Sequence, residues 1–462
     1  MAEIEADRGI GMTALAVETA EAEYPSALYA SYVVGVLVVA YTFSFIDRQI
    51  LSLLVGPIKR DLAINDTEMS LLQGIAFALF YSFLGLPIGR LVDRSRRVTI
   101  VAAGVFVWSL MTACCGVARS FVQLFLARIG VGVGEASLSP AAYSMISDFF
   151  PPRRMGLALG AYGVGVYVGA GLALVIGAEV IKLLSGTGAM VLPLVGEIRP
   201  WQAVFFAVGL PGILVALWVA TLREPARRGH RGVGGAAPPM SEVWAYLKAN
   251  RRTLTLQYLC SALAAMMAYG VGAWVPSFLI RTHGWTAVEA GRTYGWIIAI
   301  LGTAGVLSGG LLADWLAARF RSGRMMVLIL SALLTLPFAL AFPLVEDQRL
   351  CIILLAISTY FATLPTGAGA SSLQEIMPNQ MRGFASALLI FVVNLIGLGL
   401  GPTSIAAFTD SVLHDEAQIR YSLAYVPPTI LAACALVGLA SLKPYAASRD
   451  YFERWTAARS RL

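Results

Sequence analysis

Tyr29-Ala-Ser-Tyr-Val-Val-Gly-Val-Leu-Val-Val-Ala-Tyr-Thr-Phe-Ser-Phe-Ile-Asp47-Arg48-Gln-Ile-Leu-Ser-Leu-Leu-Val55 is the first long apolar run of the chain, and two adjacent charges sit inside it. At about 1.5 Å of rise per residue, a helix of this length crosses a bilayer. An ionisable side chain at the centre of such a helix costs about 2.5–3.5 kcal/mol on insertion scales, so Asp47 and Arg48 read as functional. The alternative is a self-neutralising pair near the interface that only fixes the helix position.

The rest of the chain has the same character. Of 462 residues, 58% are hydrophobic and only 13% charged, with a mean hydropathy of +0.74. Soluble domains carry about 25% charged residues, so this chain belongs in a bilayer. Twelve apolar stretches are long enough to span, at about 29–55, 69–91, 98–118, 121–148, 155–183, 201–222, 253–280, 287–315, 325–343, 350–373, 383–409 and 420–442. They are continuous and far longer than the alternating segments of a barrel strand, so they read as helices. The expected fold class is an all-α membrane protein with twelve transmembrane helices.

Loop charge gives the orientation. With the N-terminus inside, 23 of the 34 Lys and Arg fall on the cytoplasmic side and nine outside, leaving Arg48 and Arg128 within spans. This bias is the positive-inside pattern, and it predicts two cytoplasmic termini. The net charge of +7 therefore reflects membrane orientation, and no nucleic-acid partner is expected. Residues 1–25 are acidic, unlike a signal peptide, and read as a cytoplasmic tail with a short surface helix around Thr13 to Glu23. The five cysteines lie in apolar spans and the three histidines are scattered in loops, so neither a disulfide framework nor a metal site is expected.

The basic, Gly/Pro-rich stretch between Arg223 and Arg252 divides the spans six and six. The domain reading is a tail (1–28), a first six-helix bundle (29–222), a linker (223–252), a second bundle (253–442) and a tail (443–462). The halves repeat each other. Gly89-Arg-Leu-Val-Asp93 is echoed by Gly310-Leu-Leu-Ala-Asp314, 221 residues on, and Pro151-Pro-Arg-Arg-Met-Gly156 by Pro378-Asn-Gln-Met-Arg-Gly383, 227 residues on. A repeat of this length is a duplicated bundle.

Gly89-x-Leu91-x-Asp93-Arg94 resembles the signature of the major facilitator superfamily between helices two and three, although Ser95-Arg96-Arg97 lacks the usual glycine. The resemblance implies two pseudo-symmetric six-helix bundles. Glycines at 89 and 310 would let helices approach closely, and Asp93 and Asp314, with Arg94, would lock one face by capping a neighbouring helix terminus. These five are the candidate gating residues. A narrower similarity, to the spinster group, runs through Asp47-Arg48, Ile58-Lys59-Arg60-Asp61-Leu62, Asn65-Asp66-Thr67, Trp108-Ser109, Val133-Gly134-Glu135-Ala136, Pro140-Ala141-Ala142, Arg223-Glu224-Pro225 and Trp274-Val-Pro276-Ser-Phe278-Leu279. It implies export of sphingolipids or lysophospholipids, with proton coupling in bacterial members.

Arg128 and Glu135 are two helical turns apart and share a face. The resemblance brings helices one and four together around a cavity, so Asp47, Arg48, Arg128 and Glu135 form a cluster of zero formal charge. Protonating one carboxylate frees an arginine, which a phosphate or carboxylate on the cargo can then engage. Asp47 and Glu135 are the proton-coupling candidates and Arg48 the head-group cation. Arg128 is either a second substrate cation or a structural clasp. In the second half, Met267, Trp274, Tyr360, Thr363, Phe391 and Asn394 form a largely apolar wall suited to an acyl chain; packing is the alternative role for each.

Gly130-Val-Gly132-Val-Gly134 lacks the Lys-Ser/Thr and strand of a phosphate loop and reads as a close-packing seam. Gly397-Leu-Gly-Leu-Gly401-Pro402 is a similar seam in which Pro402 allows a bend. No nucleophile, base and orienting acid group together, so no enzyme is expected. The expectation is a proton-coupled exporter of lipid-like amphiphiles in a bacterial inner membrane, working as a monomer by alternating access, with a proton gradient in place of a cofactor. The rivals are a proton-coupled carrier of small organic anions and a non-transporting lipid sensor.

Overall fold

Chain direction alternates through the computed structural model, which describes residues 24–186, 190–192, 196–227, 240–378 and 380–459. Among these residues, 12 helices are long and apolar enough to cross a membrane. Spans 1–6 are Ala27–Leu53, Asp66–Gly85, Arg97–Cys115, Phe121–Phe149, Leu157–Leu184 and Pro200–Ala220. Spans 7–12 are Arg251–His283, Ala287–Ala317, Gly323–Ala341, Gln348–Glu375, Arg382–Leu413 and Glu416–Ala457. Several begin on caps written in the sequence: Asn65 with Glu68 and Thr286 with Glu289 each form a reciprocal capping box. With an even number of spans, both described termini lie at one end of the bundle, the terminal end; the other is the far end.

Three parts of the domain reading change. The linker contains a helix, Met240–Ala249, tied to the second half where the Tyr246 hydroxyl donates to the Ile376 carbonyl at 2.7 Å. The expected tail after 442 continues as helix to Arg459. It stays folded because Tyr445 donates to the Ser372 carbonyl (2.7 Å) and to Glu375 (2.8 Å), while Arg449 pairs with Glu375 at 3.1 Å. Between spans 5 and 6 a two-stranded antiparallel hairpin, Met190–Leu192 with Gly196–Ile198, interrupts the all-helical pattern. The surface helix expected around Thr13 to Glu23 lies outside the described residues.

The halves meet at the far end. Asp66 accepts from Arg281 at 2.6 and 2.8 Å and also pairs with Lys59, and Glu416 closes the cluster against Lys59 at 2.5 Å. The Asp410 carboxylate accepts from the Thr67 main-chain N–H (2.7 Å) and hydroxyl (2.6 Å), placing an anion on the positive end of span 2. Gly171 and Gly295 bring spans 5 and 8 together so closely that a Cβ at 171 would lie 2.4 Å from the Gly295 oxygen. Pro402 has no N–H for the Leu398 carbonyl four residues back, and Gly74 of span 2 packs onto that carbonyl, where a Cβ would lie 2.6 Å away. Just before it, Val393–Leu398 widens into a π-helical turn against Ala265 and Met266 of span 7.

At the terminal end the halves part. A Cβ at Gly89, Gly160, Gly163, Gly310 or Gly383 would meet nothing within 4 Å. This corrects the expectation for Gly89 and Gly310, whose close-contact seam is open in this state. Asp314 is 77% exposed and, among the described residues, pairs only with Arg324 of its own half, at 3.5 Å, while the Arg94 side chain is exposed. The Asp93 side chain lies outside the described residues. At the opposite end a helix terminus is capped across the halves, by Asp410.

Each half has its own terminal-end clasp. Buried Arg97 donates to Asp148, to the Ser144 hydroxyl (2.9 Å), to Glu224 (2.8 Å) and to the Pro225 carbonyl (3.0 Å). Glu224 also accepts from the Val98 N–H at 2.9 Å. Burial pushes its carboxyl up, but the Arg97 guanidinium and the main-chain donors outweigh this and hold it below its ordinary 4.5. A depressed carboxyl contributes stability that is complete above about pH 4.5 and is lost as pH falls through the folded value. Glu224→Gln should therefore cost about 1–2 kcal/mol at neutral pH, discounted because the side chain is part-exposed and Asp148 remains. Hydrogen exchange at residues 223–227 should speed up in the variant at pH 7, and the difference from wild type should vanish in acid.

Candidate functional site

Adjacent positions on a helix point about 100° apart, and this separates Asp47 from Arg48. Arg48 leaves span 1 towards the space between the halves, where Tyr269 of span 7 lies within its electrostatic reach and its side chain is 16% exposed. Its guanidinium lies 4.5 Å from the centre of the Phe77 ring, 5.2 Å from Phe45 and 5.5 Å from Tyr81. Arg48 Nε donates to Glu135 Oε2 of span 4 at 2.7 Å, Nη2 donates to the same oxygen, and the Ser44 hydroxyl donates to it at 2.6 Å. Glu135 Oε1 is buried without a partner.

Asp47 turns the other way, into the interior of the first half, and is 2% exposed. Its neighbours are Thr112 of span 3 and, at electrostatic range, Glu135, Arg128 and Arg48. No ion pair reaches its carboxylate among the described residues, and Oδ1 is buried without a hydrogen-bond donor. The structure thus brings Asp47, Arg48, Arg128 and Glu135 together, but with Arg48 spent on Glu135 and Asp47 left uncompensated.

Arg128 is not available to a substrate. It is 1% exposed, Nη1 donates to the Asp47 main-chain carbonyl at 3.1 Å, and Nε donates to the Leu72 carbonyl at 3.3 Å. The structure resolves the two readings of this residue in favour of a clasp holding spans 1 and 2 to span 4. The Leu72 carbonyl lies at the break between helices Asp66–Gln73 and Ile75–Arg94, where a donor from Arg128 avoids the cost of a buried unpaired group.

The second-half candidates divide. Trp274 is fully buried and donates Nε1–H to the Pro402 carbonyl at 2.9 Å, and Met267 is buried beside the same span 7–11 seam. Both are packing residues here, which corrects their assignment to the substrate wall. Tyr360 donates to the Ser308 hydroxyl (2.8 Å) and Thr363 to the Tyr360 carbonyl (3.0 Å), lining the seam between spans 10 and 8. Phe391 meets Phe83 edge-to-face at 5.2 Å across the two halves. Asn394 is part-buried within the π-helical turn.

Tyr41, Tyr81, Tyr143 and Tyr162 escaped the sequence reading. Tyr41 stacks on Tyr162 at 5.1 Å, Tyr143 meets Tyr162 edge-on at 5.5 Å, and Tyr81 and Tyr269 lie within electrostatic reach of Tyr41. Tyr41, Tyr81 and Tyr269, with Phe45 and Phe77, lie around Arg48. Tyrosines recurring inside spans 1, 2, 4, 5 and 7 were the available signal. Ser44 was also missed; it lies one turn before Arg48, on the same face.

A buried charge cluster midway through twelve helices, in two halves closed at one end and open at the other, defines a membrane transporter. The chain belongs to the Major Facilitator Superfamily, whose model matches residues 37–402. A solved bacterial homologue of the human lysosomal transporter Spinster, inward-facing and unoccupied, superposes with a TM-score of 0.76 at 28% identity, covering 93% of this chain and 99% of that one. An MFS-type efflux pump of Mycolicibacterium smegmatis is 28% identical over 426 residues, 92% of this chain and 94% of that protein. A hexuronate transporter of Bacillus subtilis is 26% identical over 387 residues, 79% and 85% of the two chains.

Proposed function

We propose that the protein is a proton-coupled exporter of lipid-like amphiphiles of the sphingolipid or lysophospholipid kind, acting as a monomer in a bacterial inner membrane with both termini cytoplasmic. In that orientation the open terminal end faces the cytoplasm, ready to load cargo. The observation that carries the reading is the split between the two carboxyls: Glu135 is neutralised by Arg48, whereas Asp47 is buried with no cation on its carboxylate among the described residues. A buried carboxyl without an ion pair is suited to carrying a proton, and a cargo anion that draws Arg48 away would expose Glu135 to the same choice. The apolar faces around Phe83 and Phe391 suit an acyl chain. The similarity to the efflux pump supports the direction.

A second reading, a carrier of small organic anions, is favoured by the similarity to a hexuronate transporter and by the single reachable guanidinium at Arg48. The two separate in proteoliposomes under an imposed pH gradient. Labelled lysosphingolipid or lysophospholipid should accumulate with the gradient and hexuronate should not. Hexuronate flux without lipid flux would replace the first reading by the second, and binding of lipid with no flux would make the protein a sensor.

A further inference from the structure

We propose that the groove between the start of span 7 and span 12, at the terminal end, is a binding site for an anionic membrane phospholipid. The groove has a volume of about 520 Å³ and is lined by Arg252, Leu439, Ala440, Leu442, Lys443, Pro444 and Ala447. It is separate from the charge cluster and from the cargo path. Its position is that of a lipid headgroup: the apolar run of span 12 ends at Leu442, and Lys443 is the first charge after it. Arg252 enters from span 7 at the same level.

The charges decide the ligand. Three nearby cations have acidic partners: Arg449 and Arg324 share Glu375, and Arg321 pairs with Asp450 and Glu453. Arg252 and Lys443 are exposed, and among the described residues no carboxylate pairs with either. Two unneutralised cations above an apolar floor match a phosphodiester above acyl chains, and basic pockets between spans at a membrane surface are such sites. The floor is also preorganised. Behind it the Thr253 and Ser448 hydroxyls bond at 2.7 Å, and Ser322 donates to the Leu442 carbonyl at 2.8 Å. Pro444 has no N–H, so the Ala440 carbonyl loses its usual helical donor and is left for a headgroup hydroxyl. The apolar floor at Leu439, Ala440 and Ala447 selects a lipid over a free phosphate.

The test uses the full-length protein reconstituted with phosphatidylcholine and phosphatidylglycerol together, then released for native mass spectrometry. Wild type should retain phosphatidylglycerol in preference to phosphatidylcholine. Each cation near the surface strengthens binding about fivefold, so Arg252→Gln with Lys443→Gln should weaken that retention roughly 30-fold. Arg251→Gln, one residue away and outside the groove, should leave it unchanged. Ala440→Trp should fill the groove and lower retention with both cations intact, which keeps the test decisive if the double variant melts early. Excess glycerophosphate, which has the headgroup and no chains, should not displace the lipid. Equal retention of the two lipids by wild type, undiminished retention in the double variant, or displacement by glycerophosphate would each overturn the assignment.

Discussion

Asp47→Asn should abolish coupling while leaving the fold and cargo binding in place. A pH difference of one unit is worth about 1.4 kcal/mol per proton, which sustains roughly a tenfold cargo ratio across the membrane for one-to-one exchange. With the membrane potential clamped, that ratio should collapse to unity in the variant, although cargo still equilibrates. The asparagine is close in size to the aspartate it replaces and breaks no ion pair, because none reaches the Asp47 carboxylate among the described residues. Glu135→Gln is the necessary comparison and a harsher change. It strips Arg48 of its counter-charge and leaves Ser44 and the guanidinium only a neutral amide oxygen to share, so it should weaken folding as well as coupling. If the Asp47 variant still holds the tenfold ratio, the proton travels on Glu135 and Asp47 is a structural acid.

Asp66→Asn should shift the conformational balance towards opening at the far end. Asp66 is fully buried and neutralises Lys59 of its own half and Arg281 of the other. Breaking a buried pair by removing one partner costs about 3–5 kcal/mol, because a charge is left uncompensated. Only the bond to Arg281 crosses between the halves, and Glu416 remains to neutralise both cations in part. About 2 kcal/mol of differential is a fair share, or on the order of a 30-fold shift in population. Spin labels on exposed Leu183 and Glu346, one in each half, should report a longer-distance population that is minor in wild type. An unchanged distance distribution would mean that Thr67–Asp410 and the glycine contact between spans 5 and 8 hold the far end alone.

The comparison of sequence and structure is sharpest at the paired charges. That Asp47 and Arg48 place charge inside a span was legible, since such charge is costly wherever the helix sits. Their division of labour was not, because it depends on which neighbour each side chain meets. The spacing of Arg128 and Glu135 predicted a shared face, but Glu135 reaches Arg48 while Arg128 spends its donors on two carbonyls. Lys59, Asp66 and Thr67 were visible only as matching positions; as an isolated string they gave no hint of Arg281, Asp410 or Glu416, all more than two hundred residues away.

By itself the sequence determined the bilayer, the twelve helices, the two repeated halves and the presence of charges inside two of the spans. Each of these follows from transfer free energy and periodicity, which are local properties of a chain. Only the tertiary structure decided which carboxyl is paired, that Arg128, Met267 and Trp274 are sealed into packing, and which end of the bundle is shut. Those depend on contacts between segments far apart in the chain. In a protein with two alternating packings they also depend on the state adopted: Gly89 and Gly310 face open space here because the seam they belong to is the one that has parted.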